Sequence, residues 1–425
     1  MALLVLIVVP VVLLCIGVPI FVALIAAAAI GIVALNIGSM DPVHVALFGG
    51  LDNFPLLAVP LFIFAGEIMG GGGIARRLVE WVMSIVGGVR GSLALTTVVS
   101  SELFGSTSGS SVGTLASIGR LMIPELTRRG YEPAFSTSLI ASCGSIATII
   151  PPSIVMIIYG VASQQSVPKL FLAGIAPGVL IGVLVSVYLL FHARGQPLSS
   201  TDRLSWKRIR SATREAVWAL LAPVITLGGI YGGIFTPTEA GGIACVYAII
   251  VTCFIYREVS ALDLWRMALT SARTISQILI IVSAAGAYSW LITTSGLPTR
   301  LVDTIAALHA NTWILLLLIN AILLCVGTVL EPPAAILILT PLLTPLVVQA
   351  GIDPIHFGIV VTVNLSIGMF IPPFGLNLFA AHALFGVPFA KLYRGILPFV
   401  AIYLLALALI TYVPAITLVP LRLLN

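Results

Sequence analysis

A short apolar pattern built on two adjacent prolines occurs twice, and it constrains the fold more than any other feature. Gly144-Ser145-Ile146-Ala147-Thr148-Ile149-Ile150-Pro151-Pro152-Ser153 is the first copy, and Ser366-Ile367-Gly368-Met369-Phe370-Ile371-Pro372-Pro373-Phe374-Gly375 contains the second. A numbering shift of 221 lays Ser145 on Ser366, Ile150 on Ile371 and one Pro-Pro pair on the other. The same shift, without a gap, pairs Thr107 with Thr328, Pro124 with Pro345, Gly130 with Gly351, Pro133 with Pro354, Gly174 with Gly395 and Pro177 with Pro398. The chain is a tandem repeat of two halves, each with a helix that two prolines interrupt.

Both copies sit in long apolar surroundings. Of 425 residues, 60% are hydrophobic and 8% charged. A soluble domain cannot hide that much apolar surface, so the chain reads as a polytopic membrane protein with no extramembrane catalytic domain. The net charge of +5 comes from basic residues scattered through short loops, which report orientation and not a nucleic-acid surface. Cys15, Cys143, Cys245, Cys253 and Cys325 lie in apolar segments without metal-ligand spacing. The first residues lack the positive n-region of a cleavable signal, so a retained first helix is expected.

In chain order, two helices are expected between Ala2 and Ile37, broken near Pro19. A loop at 38–54, a helix at 54–70 and an amphipathic interfacial arm at 74–89 follow. Residues 91–126 read as a re-entrant helical hairpin with a tip of small residues, because each arm is short for a crossing. The broken helix at 134–160 and a helix at 170–192 complete the first repeat, 1–192. Residues 193–215, with Arg194, Arg203, Lys207, Arg208, Arg210 and Arg214, read as a basic cytoplasmic linker. The second repeat, 216–425, is expected to hold helices at 216–234 and 238–256, an arm with Arg257, Arg266 and Arg273, and a helix at 275–294. Its hairpin (311–349), broken helix (355–381) and last helix (396–418) follow. With the linker inside, most Lys and Arg fall on the cytoplasmic side; Lys169, Arg300 and Arg422 are exceptions. Each half then has five crossings, an odd number. The expected fold is all-α, with two inverted-topology repeats, about ten transmembrane helices and two re-entrant hairpins, both termini being periplasmic.

In transporters with inverted repeats the site lies near the membrane midplane, where helices are interrupted. Carbonyls and hydroxyls are the ligands a hard cation takes. The first tip offers Ser106, Thr107, Ser108, Ser110 and Ser111, and the second offers Gly327 and Thr328. Ser145, Thr148, Ser153, Asn364, Ser366 and Asn377 add side-chain oxygens near the breaks. Proline kinks and Gly/Ser runs also serve helix packing alone; two hairpins and two breaks at one offset favour a site. Glu331, at the second tip, is the leading acidic candidate, whereas Glu239 reads as a helix cap. No phosphate-binding loop, zinc-protease motif or nucleophile with a histidine base occurs, so neither an enzyme nor an internal ATPase is expected.

Five stretches together resemble one family: Ser108-Gly109-Ser110-Ser111-Val112, Ile150-Pro151-Pro152-Ser153-Ile154, Phe235-Thr236-Pro237-Thr238-Glu239-Ala240, Pro333-Ala334-Ala335-Ile336-Leu337-Ile338-Leu339-Thr340-Pro341, and Pro372-Pro373-Phe374-Gly375-Leu376-Asn377-Leu378-Phe379. They resemble the large membrane subunit of tripartite ATP-independent periplasmic (TRAP) transporters, along essentially the whole chain. The resemblance implies an elevator-type, Na+-coupled importer of an organic anion in the bacterial inner membrane. Sialic acid, a C4-dicarboxylate, another sugar acid or a keto acid would suit. It implies a small four-helix membrane subunit and a periplasmic substrate-binding protein as partners, the former as a separate chain because no four-helix extension precedes Met1. It also implies two Na+ sites and no transition metal or organic cofactor. The first would comprise Ser106, Thr107, Ser108, Gly109, Gly144, Ser145, Thr148 and Pro151. The second would comprise Gly327, Thr328, Glu331, Ser366, Met369 and Pro372, with Glu331 where the family usually has Asp. Substrate would meet Ser108, Ser110, Ser153, Glu331 and Asn377. The nearest alternative is a stand-alone Na+/dicarboxylate symporter of related fold.

Overall fold

The computed structural model describes residues 6, 8–37, 41–194, 205–307 and 311–423. Among them are twenty α-helices and no strand. The first half holds α1 (Val9–Cys15), α2 (Ile20–Leu35), α3 (Asp41–Gly49), α4 (Ala58–Gly71), α5 (Ile74–Val86), α6 (Ser92–Ser108), α7 (Ser111–Arg128), α8 (Pro133–Ile146), α9 (Ile154–Ser163) and α10 (Val167–Arg194). The second holds α11 (Trp206–Tyr231), α12 (Pro237–Ile249), α13 (Ala261–Thr294), α14 (Leu297–Ala307), α15 (Thr312–Val329), α16 (Pro332–Gln349), α17 (Pro354–Gly368), α18 (Leu376–Phe385), α19 (Phe389–Tyr412) and α20 (Ala415–Leu423).

Local chemistry explains the boundaries that matter most. Gly130 (φ +97°) and Gly351 (φ +75°) occupy equivalent positions and take the left-handed backbone that ends α7 and α16. Three residues later, Pro133 and Pro354 open α8 and α17 at a position where no N–H is needed. The Asp353 carboxylate caps α17 by accepting from the Ile355 and His356 amides, at 2.7 and 3.2 Å. Thr236 and Glu239 form a reciprocal capping box at the start of α12, so Glu239 is a cap.

Several expectations are corrected. The loop expected at 38–54 contains α3 from Asp41 to Gly49, because Asp41-Pro42 is a helix-starting pair; 38–40 lie outside the described residues. In the linker expected at 193–215, residues 195–204 also lie outside. Lys207, Arg208, Arg210 and Arg214 ride the first turns of the 26-residue α11. The arm with Arg266 and Arg273 is continuous with the following helix as the 34-residue α13, started by a Ser260–Asp263 capping box. The last helix begins earlier than expected, at Phe389, and α14 and α20 are additional.

Among the described residues, seven helical stretches are individually long and apolar enough to cross a membrane. Two of them, α15 and α16, are the arms of the second helical pair. Apolar side chains face outward in large numbers, for example Trp313, Leu317, Leu318 and Leu405, each more than half exposed. The interior is correspondingly rich in hydroxyls, the polarity expected of a protein whose solvent is lipid.

Packing divides the helices into two sets. In one, α8 is gripped by α6, α7, α18 and α19, while α17 is gripped by α9, α10, α15, α16 and α19. In the other, α4 packs on α12, α2 and α3 on α13, and α5 on α11. The α13–α16, α5–α6 and α4–α6 contacts join the sets.

Candidate functional site

The two breaks follow from one rule. Proline has no N–H, so the carbonyl four residues earlier loses its helical donor. Pro151 and Pro152 free the Ala147 and Thr148 carbonyls, and Pro372 and Pro373 free those of Gly368 and Met369. In each break one carbonyl is repaired from beyond the prolines. The Ser153 hydroxyl donates to the Thr148 carbonyl, and the Asn377 amide donates to that of Met369 at 2.7 Å. Thr148 and Met369 are equivalent under the 221 shift. Both Pro-Pro bonds are cis. Ser153 also caps α9, accepting from the Met156 amide at 3.3 Å.

The first tip lies directly on the first break. A β-carbon on Gly109 (φ +58°) would sit 2.7 Å from the Pro152 carbonyl, and one on Gly105 would sit 2.8 Å from the Ala147 Cα. Ser106, Thr107 and Ser108 are nearly fully buried. The Ser106 and Thr107 protons go to their own helix, to the Leu103 and Phe104 carbonyls at 2.7 Å each. Their oxygens keep lone pairs for another partner. Ser108 pairs with the Thr114 hydroxyl at 3.0 Å, and Ser110 caps α7 through the Gly113 amide at 3.2 Å. In α8, Ser145 donates to the Ser142 carbonyl (2.7 Å) and Thr148 to the Ser145 carbonyl (2.7 Å). A β-carbon on Gly144 would sit 3.0 Å from the Ser111 carbonyl. The first-site residues named from sequence therefore gather where α6, α7 and α8 meet.

The second set gathers less tightly. Gly327 packs against Gly368 and Leu365 of α17, bringing that tip onto the second break. Thr328 is partly exposed and donates to the Cys325 carbonyl at 2.7 Å. Glu331 is exposed at the start of α16 and makes no side-chain cap there. Met369 is buried and Pro372 half-buried.

Among the contacts that join the halves, two lie at the breaks. Thr148 and Ser366 place their hydroxyl oxygens 2.5 Å apart. Asn377 donates to the Ala141 carbonyl and to the Ser111 hydroxyl, each at 2.8 Å, and its carbonyl group meets Ser111 at 3.0 Å. Asn377 is fully buried and its hydrogen-bonding groups are taken up internally, so it braces the site. Asn364 donates to the side-chain carbonyl of Asn320 in α15 at 2.8 Å.

Sequence reasoning passed over three groups. The Ala147 and Gly368 carbonyls follow from the proline rule applied four residues back. Arg120 lies inside α7 and is exposed. An arginine within a helix of the hairpin is the signal that marks it. Among the described residues no group of three or more His, Cys, Asp or Glu is placed to hold a metal.

The comparisons agree with this architecture. The model of the DctM component of tripartite ATP-independent periplasmic transporters matches residues 7–416. The isethionate TRAP transporter permease protein DctMQ of Oleidesulfovibrio alaskensis is 41% identical over 94% of this chain, which spans 63% of that relative's length. The C4-dicarboxylate TRAP transporter large permease protein DctM of Pseudomonas aeruginosa is 38% identical over 92% of this chain and 91% of its own. The ectoine TRAP transporter large permease protein TeaC of Halomonas elongata is 35% identical over 96% of both. Among solved structures, the YdaH transporter of Alcanivorax borkumensis aligns with a TM-score of 0.62 over 86% of each chain at 15% identity, a likeness of fold. The matching family model, the relatives along nearly the full length and the paired helix breaks agree: this chain belongs to the DctM family, the large-permease component of TRAP transporters, and is a membrane transport protein.

Proposed function

We propose that the chain drives Na+-coupled uptake of an organic carboxylate across the bacterial inner membrane. A periplasmic binding protein delivers the substrate and a small membrane subunit assists. The observation that carries this reading is that each tip seats on its own interrupted helix, Gly109 on Pro152 and Gly327 on Gly368, and that the two interrupted helices meet at the buried Thr148–Ser366 hydroxyl contact. Na+ takes oxygen donors, and the two breaks supply freed carbonyls beside hydroxyls whose lone pairs are unspent. The first ion sits between Ser106, Thr107, Ser108 and the α8–α9 break, and the second between Gly327, Thr328 and the α17–α18 break. Substrate lies between the tips, with Ser108, Ser110, Ser153 and Glu331 as polar contacts.

The halves have opposite topology, and the two hairpins are re-entrant. The seating of Gly327 on Gly368 supports this, since it stops a tip midway along a broken helix. The set formed by the hairpins, broken helices, α10 and α19 moves as an elevator against the set formed by α2–α5 and α11–α13. Relatives named for C4-dicarboxylate, isethionate and ectoine define the range of small charged substrates to screen first.

The deciding experiment is uptake into proteoliposomes containing this chain, its small subunit and the binding protein, under a Na+ or a K+ gradient. Uptake that needs Na+ and the binding protein is expected. Equal uptake in K+ refutes Na+ coupling, and uptake without the binding protein favours a stand-alone symporter.

A further inference from the structure

The 221-residue offset makes the two tips comparable position by position, and they are not built alike. The first is held on several sides. Ser111, at the start of α7 and 3% exposed, exchanges hydrogen bonds with Asn377 of α18 at 2.8 and 3.0 Å. The same Asn377 amide group reaches the Ala141 carbonyl of α8 at 2.8 Å, and its backbone N–H closes the second break on Met369. One buried side chain thus ties the first tip to both interrupted helices.

The offset shows that this link has no mirror image. The counterpart of Ser111 is Pro332, which offers neither a hydroxyl nor an N–H. The counterpart of Asn377 is Met156, whose thioether is a weak acceptor and no donor. The second tip is correspondingly loose. Val329 is 65% exposed, Glu331 makes no side-chain cap, and Thr328 bonds only within its own helix. The breaks share the asymmetry: Pro151 and Pro152 are buried, whereas their counterparts Pro372 and Pro373 are half-buried and exposed.

We infer that Asn377 is a positioning residue that pins the first tip to both broken helices, making that tip the fixed wall of the site and leaving the unpinned second tip as the gate that admits and releases the cargo. The inference rests on the reading above that the cargo sits between the tips. The pin itself, however, is tested without any cargo.

The test is amide hydrogen exchange, read by mass spectrometry, on the full chain in lipid nanodiscs in choline chloride. Two or three buried hydrogen bonds of ordinary net strength correspond to roughly 100-fold in local opening. Peptides covering 105–113 should therefore exchange about 100-fold more slowly than the amides of 327–331. Asn377→Ala should bring 105–113 up toward the second tip's rate and leave 327–331 unchanged. A merely structural loss would accelerate both. Ser111→Thr, which keeps the hydroxyl, should preserve protection, and Ser111→Ala should lose part of it. Equal exchange of the two tips in the unaltered protein overturns the inference, whether or not any variant folds. So does an unchanged first tip in Asn377→Ala. Repeating the measurement in NaCl separates the two ideas: Na+ should slow 327–331. Failure of Na+ to slow either tip counts against the ion sites, while the choline comparison still decides the pin.

Discussion

Gly109→Ala probes the seating of the first tip on the first break. Gly109 has a φ of +58°, and its added methyl would stand 2.7 Å from the Pro152 carbonyl oxygen and 3.6 Å from the Ile154 amide. Two costs follow. An alanine held in left-handed backbone loses about 1–2 kcal/mol. The methyl also meets backbone, which cannot swing aside like a side chain, so tip and break must separate by roughly half an ångström and lose dispersion contact along the seam. A further cost of about 1–3 kcal/mol is expected from this overpacking. Gly386→Ala isolates the first term. Gly386 has a φ of +69°, and its methyl would have nothing within 4 Å. The assay is the unfolding midpoint of both variants in detergent, with choline chloride and then NaCl. Gly386→Ala should lose only the backbone term and keep the full Na+ response. Gly109→Ala should lose more stability and weaken Na+ binding by at least about tenfold, since a shift of half an ångström spoils a coordination shell. Equal losses and equal Na+ responses would show that the tip does not bear on the break as described.

Ser153→Ala removes the cap of α9 and the donor to the Thr148 carbonyl, so about 2–3 kcal/mol of stability should go, with loss of Na+-dependent uptake; Ser108→Ala should lose the uptake with a smaller effect on folding. Wild-type transport by both variants would dismiss the first ion site. Glu258 pairs with Arg76 at 2.6 Å and Arg77 at 2.7 Å, while Arg77 also stacks over Tyr256 at 3.5 Å. Glu258→Gln should cost about 1–2 kcal/mol at low salt and less in 1 M choline chloride, since these partly exposed charges are screened.

The paired breaks were legible because proline and glycine act locally. Two adjacent prolines interrupt a helix wherever they stand, and Gly130 and Gly351 announce the turns before α8 and α17 without reference to any partner. The readings that failed used charge as a proxy for an end. Arg266 and Arg273 suggested an interfacial arm, yet no glycine or proline interrupts α13 before Gly286, and the helix runs through them. The polar content of 193–215 suggested a linker, although Lys207 to Arg214 suit the exposed face of α11 equally well. Asn377 was expected at the substrate only through the family resemblance. Its actual partners, Ser111 and Ala141, lie 266 and 236 residues away, and no local pattern could name them.

The offset that organised the reading also shows where it had to stop. A duplicated pattern reports what the halves share: break, tip and turn. Any difference in how firmly the two tips are held must come from positions where the copies diverge. Three such pairs sit at the centre: Thr148 against Met369, Ser111 against Pro332, and Met156 against Asn377. In the first pair the freed carbonyl is closed by a hydroxyl in one half and by a backbone amide in the other. In the second and third, a hydrogen-bonded pin exists on one side and is chemically impossible on the other. The second and third differences tie down the first tip and leave the second without that link. On the proposal above, the repeat builds the site, and these departures from it leave the second tip as the movable side.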